Sequence, residues 1–243
     1  MIGRRKSEMA SALKIALEDL LRARRLQADA PPLRGEDRRL RPLSTGVAGI
    51  DALLQGGLPR GQVSEVFGLA SSGRTGLALS LVARATSGGV LAGWVDPADR
   101  FDPASAASAG VDLARLLWLR GDGRGPRALT DAVAAVATLV GSGLFEVTIL
   151  DLAGVPAHDV RRLPGTTWHR LQRMIEDAPS ALLLLAAAHV AYGPGGVSLA
   201  LASSGARWSG SPGPDRLLRA LGAEARAGRH AARTAPLELQ AFG

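Results

Sequence analysis

The sequence predicts an α/β protein in which a mainly parallel, twisted sheet is flanked by helices. Three observations predict this class: five short apolar runs, helical patterns between them, and a glycine-rich loop after the first run. Such alternation is typical of βαβ units. The apolar runs cover 63–67, 90–95, 116–119, 147–150 and 182–187, and the helical patterns cover about 76–86, 103–109, 126–140 and 167–177.

The segments after the fifth run predict a different arrangement. Residues 197–202 and 206–208, separated by a turn at Ser203-Ser204-Gly205, indicate an antiparallel extension of the sheet. Beyond them we expect a helix near 215–221 and an extended stretch near 237–242. We divide the chain into a basic helical arm and linker over 1–42, a core over 43–208, and an Arg/Gly/Pro-rich C-terminal extension over 209–243.

The N-terminal arm is basic and predicts one amphipathic helix over 7–27. Residues 1–41 of the chain carry 11 basic and 6 acidic side chains. Their net charge of +5 is most of the chain's net charge of +7. A single helix cannot bury its apolar stripe alone, so it must pack on its own core, on a second copy or on a partner. The candidate contact residues for a copy or partner are Leu13, Leu17, Leu20 and Leu21.

The composition excludes several chemistries. The chain has no cysteine, which removes disulfides, thiolate zinc sites and cysteine nucleophiles. Its four histidines lack ligand spacing, so we expect no metal site built on them. The longest apolar stretch, 181–188, is far shorter than the roughly 20 residues needed to cross a bilayer. We therefore expect a soluble, cytoplasmic protein without a membrane partner.

A phosphate-binding loop pattern follows the first apolar run and precedes a helix, as that motif requires. In such loops the backbone N–H groups and the helix N-terminus face phosphate oxygens, a lysine bridges two phosphates, and a Ser or Thr hydroxyl holds Mg²⁺. Here arginine replaces the lysine, and its wide planar fork would misplace a triphosphate. The loop residues are Gly68, Ser71, Ser72, Gly73, Arg74 and Thr75.

A second motif ends the run over 147–150. The strand pattern from Phe145 finishes in Asp151, in the form of the second Mg²⁺-binding element of nucleotidases that carry a phosphate loop. Thr75 and Asp151 would hold a metal only if nucleotide binds. An Asp at the end of a strand is also common as a turn residue or a helix cap. The motif therefore indicates a metal site only in combination with the phosphate-binding loop.

Residues 44–67 add a specific pattern: S-T-G, then I-D, then G-G-L-P-R-G, then a strand containing Glu65. Together with the loop and with the stretches 94–103 and 109–117, they resemble the RecA/RadA recombinase core over about 43–202. The resemblance implies a RecA-like fold. It also implies single-stranded DNA contacts from two loops, here 152–166 and 189–196, whose candidate DNA-contacting residues are Arg161, Arg162 and Tyr192.

The departures from the RecA pattern fall on functional positions. Arg74 stands for the phosphate-loop lysine, Ala98 for the glutamate that activates water, and Ala188 for the glutamine that senses the γ-phosphate. We therefore expect a protein that has lost ATP hydrolysis, with no required cofactor. Binding of ATP and Mg²⁺ stays open as an alternative.

A RecA-like core without these residues, with a basic helical arm and an arginine-rich tail, resembles the ImuA family. That resemblance implies a non-catalytic adaptor in DNA-damage-induced mutagenesis, located at the nucleoid, with an ImuB-type polymerase homologue, RecA and DNA as candidate partners. It also implies self-association or docking on RecA through the arm. The tail residues Arg219, Arg226 and Arg229 are candidate partner contacts.

Two alternatives remain open from the sequence. The first is an ATP-binding recombinase paralogue that acts on single-stranded DNA, with Asp99 or Glu65 as a substitute catalytic carboxylate. The second is a regulator that binds nucleotide without hydrolysing it.

Overall fold

The computed structural model describes residues 17, 19, 41–121, 125–176, 178–191, 195–211, 213, 216–228 and 233–240. Within these residues the chain forms eight strands and six α-helices from residue 48 onward. The strands are β1 (Val63–Phe67), β2 (Leu91–Asp96), β3 (Leu116–Arg120), β4 (Phe145–Asp151), β5 (Ala181–Ala186), β6 (Ser198–Ser209), β7 (Leu217–Ala227) and β8 (Arg233–Gln240). The helices are α1 (Ala48–Leu53), α2 (Arg74–Ser87), α3 (Pro103–Ser108), α4 (Gly125–Ser142), α5 (Ala157–Arg162) and α6 (Thr166–Ile175).

All eight strands belong to one sheet in the order β3-β2-β4-β5-β1-β6-β7-β8. The first six strands pair in parallel, and β7 and β8 pair antiparallel with β6 and with each other. The predicted α/β class is therefore confirmed. The five parallel runs and their intervening helices lie within two residues of their predicted bounds.

The core has one layer on each face of the sheet, because side chains of β4 and β5 alternate between the two faces. Ile149 and Leu183 point to the side covered by α1, α2 and α3, where Trp94 is fully buried. Leu150 and Leu184 point to the side covered by α4, α5 and α6. Burial on both faces explains why these strands read as continuous apolar runs.

The S-T-G and I-D pattern is a structural clasp at the entry to the core. The Asp51 carboxylate accepts hydrogen bonds from Ser44 Oγ at 2.6 Å and from Thr45 N at 2.8 Å. Leu43 and Leu58 form an antiparallel bridge with N–H to O distances of 2.7 and 2.8 Å. Gly57 beside this bridge has φ of 130°, and a Cβ there would lie 2.1 Å from the Leu43 carbonyl oxygen.

Two predictions for the C-terminal part are wrong. The expected helix near 215–221 is replaced by β7, whose pairing with β6 and β8 overrides the helix propensity of its Ala, Leu and Arg residues. The expected turn at Ser203-Ser204-Gly205 is instead a register shift inside the single strand β6. A bulge absorbs the extra residue there without ending the strand. The extended stretch near 237–242 is confirmed in part by β8.

Two residues of the arm are described, Leu17 and Asp19, and both are helical. Leu17 is 8% exposed and belongs to the apolar cluster on the α4 and α6 side. This position fits the interpretation in which the arm packs on its own core. The other predicted arm contacts, Leu13, Leu20 and Leu21, lie outside the described residues.

The clasp makes a testable prediction about stability. Gly57→Ala should lower the free energy of unfolding by about 2 to 3 kcal/mol, because the new Cβ collides with a backbone oxygen at a strained φ. Gly143→Ala is the matched control, since Gly143 also has a positive φ of 68° but nothing lies within 4 Å of its added Cβ. Urea unfolding should show a loss of only about 1 kcal/mol for the control. Equal losses in the two variants would contradict the clasp.

Candidate functional site

The candidate site lies at the sheet edge where the parallel strands end. The phosphate loop leaves β1 at Gly68, Asp96 ends β2, Asp151 ends β4 and Ala186 ends β5. Because these strands are parallel, their carboxyl ends meet at one edge, where ligands of open α/β sheets bind.

The loop over 68–75 has two residues in the left-handed region, one of which is not a glycine. Ser71 has φ of 62° and Gly73 has φ of 91°, and α2 begins directly after Gly73 without a side-chain cap. A Cβ on Gly73 would lie 2.4 Å from Leu239 of β8, so this strand packs directly on the loop. The Ser72 hydroxyl is buried and makes no hydrogen bond within the described part of the chain. The loop thus presents an uncapped helix N-terminus.

Arg74 turns its guanidinium toward main-chain carbonyls. Its Nη1 donates a short hydrogen bond to the Gly68 carbonyl oxygen and lies 3.4 Å from the Ala186 carbonyl oxygen. Burial lowers the pKa of Arg74 from its ordinary value, and the negative charge of Asp151 acts in the opposite direction. The side chain therefore connects the phosphate loop to the end of β5.

Asp151 is a buried carboxylate beside a second one. Burial raises the pKa of Asp151 to about 6, and the charge of Asp96 adds to this rise. A hydrogen bond from Ala153 N at 2.9 Å and the charges of Arg74 and Arg100 act in the opposite direction. Asp96 Oδ2 accepts from Phe101 N at 2.7 Å, whereas its Oδ1 makes no hydrogen bond within the described residues. Thr75, the other predicted metal ligand, is exposed at the start of α2.

The position matched to the catalytic glutamate faces a glycine. A Cβ on Gly154 would lie 2.8 Å from the Cβ of Ala98, and 2.9 Å from Cγ of Arg100. The neighbouring Asp99 is turned toward Arg120, which binds both of its carboxylate oxygens at 2.8 Å. The ion pair with Arg120 therefore occupies the carboxylate of Asp99, which an ATP-hydrolysing recombinase would need as its catalytic base.

Glu65, the other substitute carboxylate, is 1% exposed and bound on several sides. It accepts hydrogen bonds from Val190 N and Ala191 N, both at 3.0 Å, and from Ser198 Oγ at 2.8 Å. It also contacts His189 Nδ1, whose ring stacks on Phe67 at 5.5 Å between ring centroids. Glu65 therefore fixes the segment after β5 to the start of β6.

The two predicted DNA loops have different outcomes. The first, 152–166, contains the helix α5, so the prediction of a continuous loop is wrong. Arg161 and Arg162 are exposed on this helix, and Arg162 lies 3.5 Å from Asp159. Of the second loop, Tyr192 lies outside the described residues. In the C-terminal strands Arg219 and Arg226 are exposed, and Arg219 donates to Ser209 Oγ at 2.6 Å, while Arg229 lies outside the described residues.

Metal-ligand clusters and membrane-spanning helices are both absent from the described residues. They contain no group of three or more His, Cys, Asp or Glu side chains placed to hold a metal ion. Among their helices, none has the length and apolar character that spanning a bilayer requires.

Fold and site together define a class of α/β protein with a phosphate loop at the end of its first strand. Residues 32–163 match the RecA N-terminal domain, more than half of the chain. The protein therefore belongs to the RecA family.

Several RecA proteins are similar over part of this chain. RecA of Chlorobaculum tepidum is 42% identical over 110 residues, which cover 45% of this chain and 30% of that protein. RecA of Rubrobacter xylanophilus is 40% identical over 145 residues, covering 58% and 41%, and RecA of Sinorhizobium fredii is 41% identical over 141 residues, covering 56% and 37%. The matched region thus spans about a third to two fifths of these relatives.

Sequence reasoning missed two residues that shape the site, Asp96 and Arg100, and it missed the role of Glu65. Asp96 ends an apolar run in a carboxylate, the same signal that identified Asp151, so it was open to detection. Arg100 and the anchoring contacts of Glu65 have no local signal, because both depend on segments that meet only after folding.

The buried Asp151 makes a prediction about pH. Its folded pKa of about 6 lies above its ordinary value of 3.8, so ionisation favours the unfolded chain. Its contribution to stability is complete below pH 3.8 and is lost as the pH rises to about 6. Asp151→Asn should therefore raise the free energy of unfolding at pH 7.5 by up to about 3 kcal/mol. At pH 4 the gain should vanish.

Urea unfolding at both pH values provides the measurement, with Asp159→Asn as a control on an aspartate of α5 outside this pair. If Asp151→Asn raises the free energy of unfolding by the same amount at pH 4 and at pH 7.5, the raised pKa of Asp151 is contradicted.

Proposed function

We propose that this protein is a non-catalytic, RecA-like adaptor of the ImuA type, acting in DNA-damage-induced mutagenesis at the nucleoid. The single observation that carries the proposal is the Arg74 guanidinium bonded to the carbonyl of Gly68. In a nucleotide-loaded phosphate loop a lysine ammonium at this position contacts the β- and γ-phosphate oxygens, a contact that the wider planar fork of Arg74 does not reproduce.

ATP and Mg²⁺ fit this site poorly for three reasons. The fork of Arg74 is longer and wider than a lysine ammonium and is already bonded to the protein. Ala98 supplies no base, and Asp99 is held by Arg120. Finally, the positive charges of Arg74 and Arg100 act on Asp151, and they weaken the attraction of its carboxylate for a second cation. These features support a loop kept as a structural element.

Partner binding is then the function of the remaining surface. The exposed Arg219 and Arg226 are basic groups on the paired strand β7 rather than on a frayed tail, which favours contacts with acidic partner surfaces. An ImuB-type polymerase homologue and RecA are the proposed partners, with DNA as a third.

A pull-down with the ImuB-type protein and the RecA of the same genome tests the adaptor role. We expect capture of at least one of them, unchanged by Arg74→Ala. The double variant Arg219→Glu, Arg226→Glu should reduce capture about fivefold or more, because it reverses the charge of the proposed contact. If neither the ImuB-type protein nor RecA is captured, the proposal is contradicted.

A second candidate function is an ATP-dependent recombinase paralogue. It is favoured by the 40 to 42% identity to RecA proteins quoted above. Phosphate release in the presence of single-stranded DNA separates the two functions.

For the adaptor we expect phosphate release at the rate of a protein-free control, with or without single-stranded DNA, because neither Ala98 nor Asp99 can activate water. RecA of the same genome serves as the positive control. Release stimulated by DNA, and abolished by Asp151→Asn, would favour the recombinase.

A further inference from the structure

A cavity of about 430 Å³ lies between α5, the start of α6 and the segment after β5. Most of its wall is aliphatic, from Leu152, Val155, Val160, Leu163 and Val190. This volume is in the range that holds a ligand or several side chains. The cavity lies on the α4 to α6 face, outside the contacts of Arg74 with the phosphate loop.

The floor of the cavity is held by contacts with Glu65 of β1. It is formed by Ala187, Ala188, His189 and Val190, and Glu65 binds this segment through the backbone N–H of Val190 and through His189. A site that is already ordered binds its ligand without an ordering cost. Here Glu65 acts as a positioning residue for a binding site.

The surroundings of the cavity are basic. Arg161 lines it, and α5 and α6 also carry the exposed Arg162, Arg170 and Arg173. The acidic residue on these two helices is Asp159, which is already paired with Arg162, and Glu176 directly follows α6. Charge complementarity therefore favours an occupant with carboxylates beside an apolar group.

The wall argues against a nucleobase as that occupant. Proteins that bind single strands stack bases on accessible aromatic faces. The aromatic residue of the wall is Trp168, which is 5% exposed and so offers little ring surface, and His189 is already stacked on Phe67. Aliphatic walls suit an aliphatic or aromatic side chain of a protein better.

We propose that this cavity is a docking site for an acidic segment of a partner protein, in which one apolar side chain fills the cavity and neighbouring carboxylates contact Arg161. The inference rests on the proposed adaptor role in one respect: the ligand is a protein and not a nucleotide or DNA. It names a surface separate from the basic strand β7.

The test begins with selection from a random peptide library displayed on phage, using the full chain. We expect a consensus with one Leu, Ile, Met, Phe or Trp flanked by Asp or Glu. The synthetic consensus peptide is then titrated by fluorescence anisotropy against variants. Ala187→Trp, at an exposed position of the wall, should weaken binding about tenfold or more by filling the cavity. Arg161→Glu should weaken it about fivefold.

Two matched controls separate these effects from general damage. Ala107→Trp adds the same side chain at an exposed position of α3, and Arg84→Glu makes the same charge change on α2, which covers the opposite face of the sheet. Both controls should bind the peptide as the wild type does. Failure to select a consensus, a consensus without acidic residues, or peptide binding unaffected by Ala187→Trp would overturn the inference.

Single-stranded DNA is the competing occupant. We therefore also measure binding of oligothymidine to the wild type and to Ala187→Trp. If oligothymidine binds the wild type, if no selected peptide displaces it, and if Ala187→Trp abolishes its binding, the cavity is a DNA site and the inference is overturned. The peptide assay uses only the purified protein and peptides, so its failure would overturn this inference without refuting the adaptor role. The pull-down with the ImuB-type protein tests that role separately.

Discussion

The contact between the Arg74 guanidinium and two main-chain carbonyls holds the phosphate loop against the carboxyl edge of the sheet. Gly68 belongs to the loop after β1 and Ala186 ends β5, so the side chain adds a contact across the ends of two strands that are already paired in the sheet. Leu239 of β8 packs on the same loop from the other side. Protein side chains therefore contact the loop from both sides.

The same logic extends to the segment after β5. In RecA-like proteins this segment is expected to move with the nucleotide state, through a polar residue at the position of Ala188. Here alanine removes that group, while Glu65 binds the backbone of Val190 and Ala191 and contacts His189. A buried carboxylate with this many partners is costly to disturb. These contacts are consistent with the proposed role of the segment as a binding surface for a partner.

Much of the fold was predictable, because strands buried on both faces give continuous apolar runs and the glycine-rich loop marks the end of the first strand. The C-terminal strands were less accessible to sequence reasoning. The Ala, Leu and Arg residues of β7 favour a helix locally, and only pairing with β6 and β8 makes them a strand. In the site, spacing identified Arg74 and Asp151. Asp96 carried the same local signal as Asp151, whereas the contacts of Glu65 and Arg100 join segments distant in sequence, which no local pattern reveals.

The most direct test of the central claim is equilibrium binding of a fluorescent ATP analogue with Mg²⁺ to the wild type and to Arg74→Lys. If Arg74 fills the position of the missing lysine and bonds to Gly68, the wild type should show no saturable binding. The shorter ammonium of Arg74→Lys should restore it. Saturable binding of equal affinity in both proteins would contradict the account, because Arg74 would then leave the nucleotide site open.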